Sequence, residues 1–118
     1  MHVTWIKSAT NTWCNFYLFN LDHADLDGVE GVYLIWHSGE SNNTVYVGQG
    51  NIRDRLTQHR ADPNIKAYAE SGLYVTWASV DQQYRDGIEV YLALMLSPKV
   101  GSRLPDADPI LVNLPGKE

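Results

Sequence analysis

Cysteine occurs once in this chain, at Cys14, and that excludes an intramolecular disulfide and any cysteine-rich zinc site. A lone thiol agrees with a reducing compartment, and its plain reading is a small buried apolar residue. Long apolar runs are also lacking, since no stretch approaches the length needed to span a bilayer. The amino terminus, Met1-His2-Val3-Thr4-Trp5-Ile6-Lys7, has neither the charged start nor the continuous apolar core of a signal peptide. The expectation is an intracellular, cytoplasmic protein with no membrane partner. Basic residues are scarce: nine Lys and Arg against 14 Asp and Glu leave a net charge of -5. That is the wrong sign for unaided binding to a polyanion, whose sequence-independent affinity comes from cations displacing counterions. Several catalytic signatures are missing. H-E-x-x-H, C-x-x-C and G-x-S-x-G do not occur, and Gly48-Gln49-Gly50 lacks the third glycine and downstream acid of a dinucleotide-binding turn. Internal repeats, charge blocks and low-complexity segments are absent as well.

What remains is 118 residues, 44% of them apolar, with four tryptophans: enough for one globular domain with one core, too little for two ordinary domains. The charges are unevenly spread. Asp22, Asp25, Asp27 and Glu30 crowd one segment, while Arg53, Arg55 and Arg60 fall within eight positions of each other. A basic spot on an acidic body implies weak, metal-dependent contact with nucleic acid.

The chain is organised around residues 31 to 59. Gly31–Trp36 and Val45–Gly48 carry alternating β-branched and aromatic residues on either side of a Gly/Asn/Ser-rich insert, which predicts a hairpin with one tyrosine on each strand, Tyr33 and Tyr46. Asn51 is placed to cap a helix, and Asp54 lies near the positive end of that helix. The i, i+4 spacing of Arg55 and His59 puts both on one helical face. Downstream, Asp62-Pro63-Asn64 breaks the chain, Ile65–Ser71 reads as a short helical piece, and Leu73–Val80 as a third strand. Asp81 is placed to start a last helix with an apolar stripe at Ile88, Leu92, Met95 and Leu96. Glu89 sits beside that stripe. Upstream, Trp13–Phe19 has the aromatic content of a strand that adds to the sheet edge or covers the core, and residues 1–30 are expected to be an extension packing on the domain. The β-β-α-β-α order predicts an α+β fold, a small three-stranded, mainly antiparallel sheet flanked by helices.

Gly31-Val32-Tyr33, Tyr46-Val47-Gly48 and Arg55-Leu56-Thr57-Gln58-His59, in this order and at hairpin distance, resemble the signature of the GIY-YIG nuclease superfamily, with valine twice in place of isoleucine. The resemblance runs from Gly31 to about Gly116, and residues 31–118 would be the nuclease domain. It implies a glycine in the second motif, an arginine and a histidine on the first helix, a glutamate on a later helix and an asparagine near the end. Gly48, Arg55, His59, Glu89 and Asn113 fill those positions. The activity implied is hydrolysis of DNA phosphodiester bonds with one divalent cation, Mg²⁺ or Mn²⁺. Target choice would come from a partner protein, from self-association or from the shape of the DNA.

The chemistry of these residue types suits that reaction. Cutting a phosphodiester needs an activated oxygen nucleophile and cations that offset charge on the phosphoryl oxygens. Glu89 suits a magnesium ion that keeps most of its waters. Arg55 offers a charged fork to the scissile phosphate, with Arg53 and Arg60 beside it. Tyr33 is the candidate general base, which requires neighbouring positive charge to depress a phenol of reference pKa about 10. Tyr46 and His59 would orient the phenol and the phosphate, with Gly48 and Asn113 bracing the substrate. Each residue also has a plainer use. The tyrosines are ordinary cross-strand partners, Arg55 pairs with acids on its own helix, and Glu89 pairs with Arg85. His59 is a satisfied half-buried histidine, Asn113 a turn former, and Gly48 and Gly50 permit a tight turn. A catalytically idle domain that binds nucleic acid or protein is the competing expectation.

Overall fold

The computed structural model describes residues 1–38, 43–101 and 103–116. The turn of the predicted hairpin, at positions 39–42, lies outside them. The elements in chain order are β1 (Cys14–Asn15), β2 (Glu30–His37), β3 (Thr44–Asn51), α1 (Ile52–Arg60), α2 (Pro63–Lys66), β4 (Leu73–Ser79) and α3 (Gln82–Leu96), with single 3₁₀ turns at Ala24–Leu26 and Ala69–Ser71. The fold is α+β, but the sheet has four strands rather than three. Its order is β1-β4-β2-β3 and every pairing is antiparallel.

The added strand is short for a local reason. Cys14 and Asn15 pair with Val75 and Tyr74, and then the Asn15 side chain accepts the N–H groups of Tyr17 and Leu18, turning the chain off the edge. The seven-residue aromatic run expected there therefore yields a two-residue strand.

Period-two alternation along β2 gives the sheet two apolar faces. Tyr33 and Ile35 point to the face covered by Ile52 and Leu56 of α1, Ile65 of α2, and Phe16 and Leu26. Val32 and Leu34 point to the other, covered by Ile88 and Leu92 of α3 together with Val3, Trp5 and Val112. Residues 1–30 thus supply core on both faces as well as a strand. Met95, expected on the apolar stripe of α3, is 52% exposed instead. The helix ends at Ser97, which takes a left-handed conformation just before Pro98. Among the described residues no helix is long and apolar enough to cross a membrane.

Candidate functional site

Three local features place the site. In β2–β3, Tyr33 lies opposite Gly48. A Cβ at position 48 would come within 2.3 Å of the Tyr33 hydroxyl, so the glycine is what lets the phenol lie across the neighbouring strand. Tyr46, two residues earlier on the same strand, stacks on Tyr33 with centroids 6.0 Å apart and planes 11° from parallel. Asn51 then caps α1 as its spacing predicts, accepting the Asp54 N–H at 3.0 Å, and this sets the helix phase that turns Arg55 and His59 toward the two rings.

The result is a connected polar chain under an apolar sheet face. The Tyr33 hydroxyl meets His59 Nε2 at 2.6 Å, and Arg55 Nε donates to the phenol oxygen at 3.3 Å. The Tyr46 ring lies 4.3 Å from the His59 ring, and its hydroxyl is also within hydrogen-bonding reach of Arg55. Burial, with the Arg55 charge adding to it, lowers the His59 pKa to about 4. The imidazole is therefore neutral near pH 7, and in its Nδ1–H tautomer the Nε2 lone pair accepts the phenol proton. Tyr33 itself is fully buried, and burial drives its pKa up against the opposing hydrogen bond and charge of Arg55. The depression expected from Arg55 alone is outweighed. In this arrangement the phenol is a proton donor to His59, not a phenolate.

Glu89 approaches from α3, on the opposite face of the sheet. Between it and Tyr33 lies β3, where Gln49, flanked by the side-chain-free positions Gly48 and Gly50, projects toward α3 and comes near the Glu89 carboxylate. The Gln49 amide also donates to Asp86 Oδ1 at 2.6 Å. Glu89 is only 9% exposed. Burial raises its pKa, the Gln49 amide opposes that, Asp86 adds to it, and Arg55 opposes it. Arg55 and Tyr33 are thus within electrostatic range of Glu89. Pairing with Arg85 is not realised, because that guanidinium binds Val80 O at 2.8 Å and Glu30 Oε1 at 3.1 Å.

A buried carboxylate whose ionised form is disfavoured fits a cation that would restore its charge. Among the described residues Glu89 belongs to no group of three or more His, Cys, Asp or Glu. A single carboxylate would supply at most one protein ligand to such an ion.

Tyr33, Tyr46, Arg55, His59 and Gly48 come together, with Glu89 beside them. Arg53, Arg60 and Asn113 do not. Arg53 donates to the carbonyls of Leu21 and His23 and pairs with Asp27 at 2.6 Å. Arg60 donates to the carbonyls of Phe16 and Phe19 at 2.9 and 2.7 Å. Both fasten the amino-terminal segment to α1, so the basic spot read from the sequence narrows to Arg55. Asn113 exchanges two hydrogen bonds with the backbone of Val3, at 2.8 and 3.0 Å, and its carbonyl accepts the Trp5 indole N–H. It braces the amino terminus rather than the substrate. Two site residues escaped the sequence reading. Gln49 was signalled by strand alternation, which puts it on the face opposite Tyr33; Gly101, against the Tyr46 ring, is brought there by the tertiary path alone.

No protein-family model, curated protein or solved structure matches this chain.

Proposed function

We propose that this chain is a metal-dependent endonuclease that hydrolyses DNA phosphodiester bonds, in keeping with its resemblance to GIY-YIG nucleases. The observation that carries the reading is the Arg55–Tyr33–His59 hydrogen-bond chain, with Tyr46 stacked on it and a nearly buried carboxylate, Glu89, within electrostatic range. A guanidinium, a relayed proton path and a cation-binding carboxylate are the groups that phosphoryl transfer to water requires.

In this reading Arg55 leaves the phenol to grip the scissile phosphate, which uncovers the Tyr33 hydroxyl to the attacking water. Tyr33 takes the water proton as it passes its own to His59 Nε2, while the water oxygen bonds to phosphorus and the bond from phosphorus to the leaving oxygen breaks, that oxygen taking a proton from solvent. The phenol never has to ionise, which removes the obstacle set by its raised pKa. Tyr46 keeps the Tyr33 ring in place by stacking, and Glu89 would hold a divalent cation, Mg²⁺ or Mn²⁺, which when bound offsets charge on the phosphoryl oxygens.

The test is a cleavage assay on branched, duplex and single-stranded DNA with Mg²⁺ or Mn²⁺, run beside Glu89→Ala. Metal-dependent cutting that the variant loses is expected. Equal cutting by the variant would trace the activity to another site or a contaminant.

One observation favours a second reading, an idle nucleic-acid- or protein-binding module: Tyr33 is wholly buried. Calorimetric titration with Mn²⁺ separates the two. A silent titration in a protein that still binds DNA or a protein partner would favour the module.

A further inference from the structure

The segment that follows α3 returns to the site. Lys99 N–H donates to Thr44 O at 3.1 Å and Val100 N–H to Val45 O at 2.8 Å, so the segment is pinned along the free edge of β3, in step with the strand that carries Tyr46. Val100 packs into the core beside Tyr46. The next residue, Gly101, has φ +89° and lies so close to the Tyr46 ring that a Cβ there would be 3.1 Å from it. This contact fixes the strap against a ring of the site, with Lys99 on one side of Gly101 and Arg103 on the other.

The charge inventory makes that placement informative. Of the nine basic side chains, Arg53 and Arg60 are committed to the amino-terminal segment, Arg85 to Glu30 and Val80, Lys7 to the Trp13 ring, and Arg55 to the site itself. Lys117 lies outside the described residues. Lys66, Lys99 and Arg103 remain, and none of them makes an ion pair or side-chain hydrogen bond among the described residues. Both strap cations are exposed. On a chain of net charge -5, a polyanion has few places to be held, and two of the three uncommitted cations lie within two residues of Gly101, which touches the Tyr46 ring.

We infer that Lys99–Gly101 is the substrate-binding edge of the site, with Lys99 and the nearby exposed Arg103 contacting DNA phosphates next to the one gripped by Arg55. This rests on the nuclease reading. It assigns the phosphate-tracking role to the carboxyl-terminal side of α3 instead of to α1, where the arginine cluster of the sequence first places it. Cations held by a pinned backbone lose less freedom on binding than the same cations on a loose tail.

The experiment uses the full chain with Glu89→Gln, to prevent cutting, and a short fluorescein-labelled DNA duplex and single strand. Fluorescence anisotropy gives affinity across a range of salt concentrations. Each phosphate contact contributes roughly 0.9 to the log–log salt slope on duplex. Lys99→Gln with Arg103→Gln should therefore flatten the slope by roughly 2. In the cleaving parent the same pair should raise KM with little change in kcat, and Lys99→Arg should restore the slope. Lys66→Gln removes one charge elsewhere and should leave the slope as it is. An unchanged slope in the double variant, or an equal fall with Lys66→Gln, overturns the assignment while leaving the nuclease reading intact. A parent that neither binds nor cuts any of these DNAs overturns both.

Discussion

Gly48 lies directly across the β2–β3 ladder from Tyr33, and a methyl group at position 48 would fall 2.3 Å from the phenol oxygen and 2.5 Å from the ring carbon that bears it. The glycine and the tyrosine are one structural unit. Gly48→Ala forces the ring off its bond to His59 or displaces β3 from β2. Overpacking of this kind costs about 1–3 kcal/mol. Urea unfolding should register that loss, and cleavage should fall with it. In a Tyr33→Ala background the same change should cost much less, and additive costs would show that the two residues are independent.

Arg53 and Arg60 should behave as structural residues. Arg60→Ala strips hydrogen bonds from the carbonyls of Phe16 and Phe19, and Phe16 is fully buried. Leaving buried acceptors unpaired costs about 1–3 kcal/mol. Thermal unfolding should report the loss for Arg60→Ala, and a smaller one for Arg53→Ala, whose partners include the exposed Asp27. KM for DNA should stay near the parent value in both. A large rise in KM with unchanged melting would return these arginines to the substrate.

The contrast between Arg55 and its two neighbours marks what can be read from this sequence. Arg55 and His59 were legible because the Asn51 cap and the helical repeat fix their phase locally, and the two strand tyrosines because alternation does the same. The partners of Arg53 and Arg60 are backbone carbonyls of residues 16–23, brought there by a chain path with no local signature. The partner of Asn113 is hidden for the same reason, since the Val3 backbone it clasps lies 110 residues away. The edge strand expected within Trp13–Phe19 is cut to two residues because Asn15 turns the chain away, and the count of three omitted it. The charge of Arg55 beside Tyr33 is visible in the sequence, while the burial that outweighs it is not.

Arg55→Ala should lower cleavage by about two orders of magnitude, the scale for losing one preorganised charge-stabilising group. Arg55→Lys should recover only part of this, since an ammonium cannot reproduce the guanidinium fork that both caps Tyr33 and grips a phosphate. Single-turnover rates on a DNA substrate that the parent cuts make the comparison. Full activity in the lysine variant would reduce the role of Arg55 to that of a point charge.

Glu89→Gln should separate function from stability. The folded-state pKa of Glu89 is raised, so its ionised form is disfavoured by folding, and the stability it contributes in acid is lost as pH rises through that pKa. The isosteric amide carries no charge. Near neutral pH the variant should melt above the parent, while cleavage and Mn²⁺ binding fall sharply. A lower melting temperature at neutral pH would mean that the carboxylate is held more favourably than its burial implies.

His59 predicts a stability loss on mild acidification. Its ordinary pKa of 6.5 falls to about 4 in the folded protein, where burial and Arg55 outweigh the opposing charge of Asp62. Between about pH 6.5 and about pH 4 the unfolded chain therefore binds more protons than the native one, and stability drops as pH falls through that window. Complete protonation would remove up to about 3 kcal/mol. Protonation of the folded imidazole would also take away the Nε2 lone pair beside the Tyr33 hydroxyl at 2.6 Å, so cleavage should fall only as pH approaches about 4. Urea midpoints measured across this window should slope for the parent and flatten for His59→Gln, which cannot titrate there. Equal slopes in the two proteins would assign the acid sensitivity to other groups and leave the phenol–imidazole bond without its neutral acceptor.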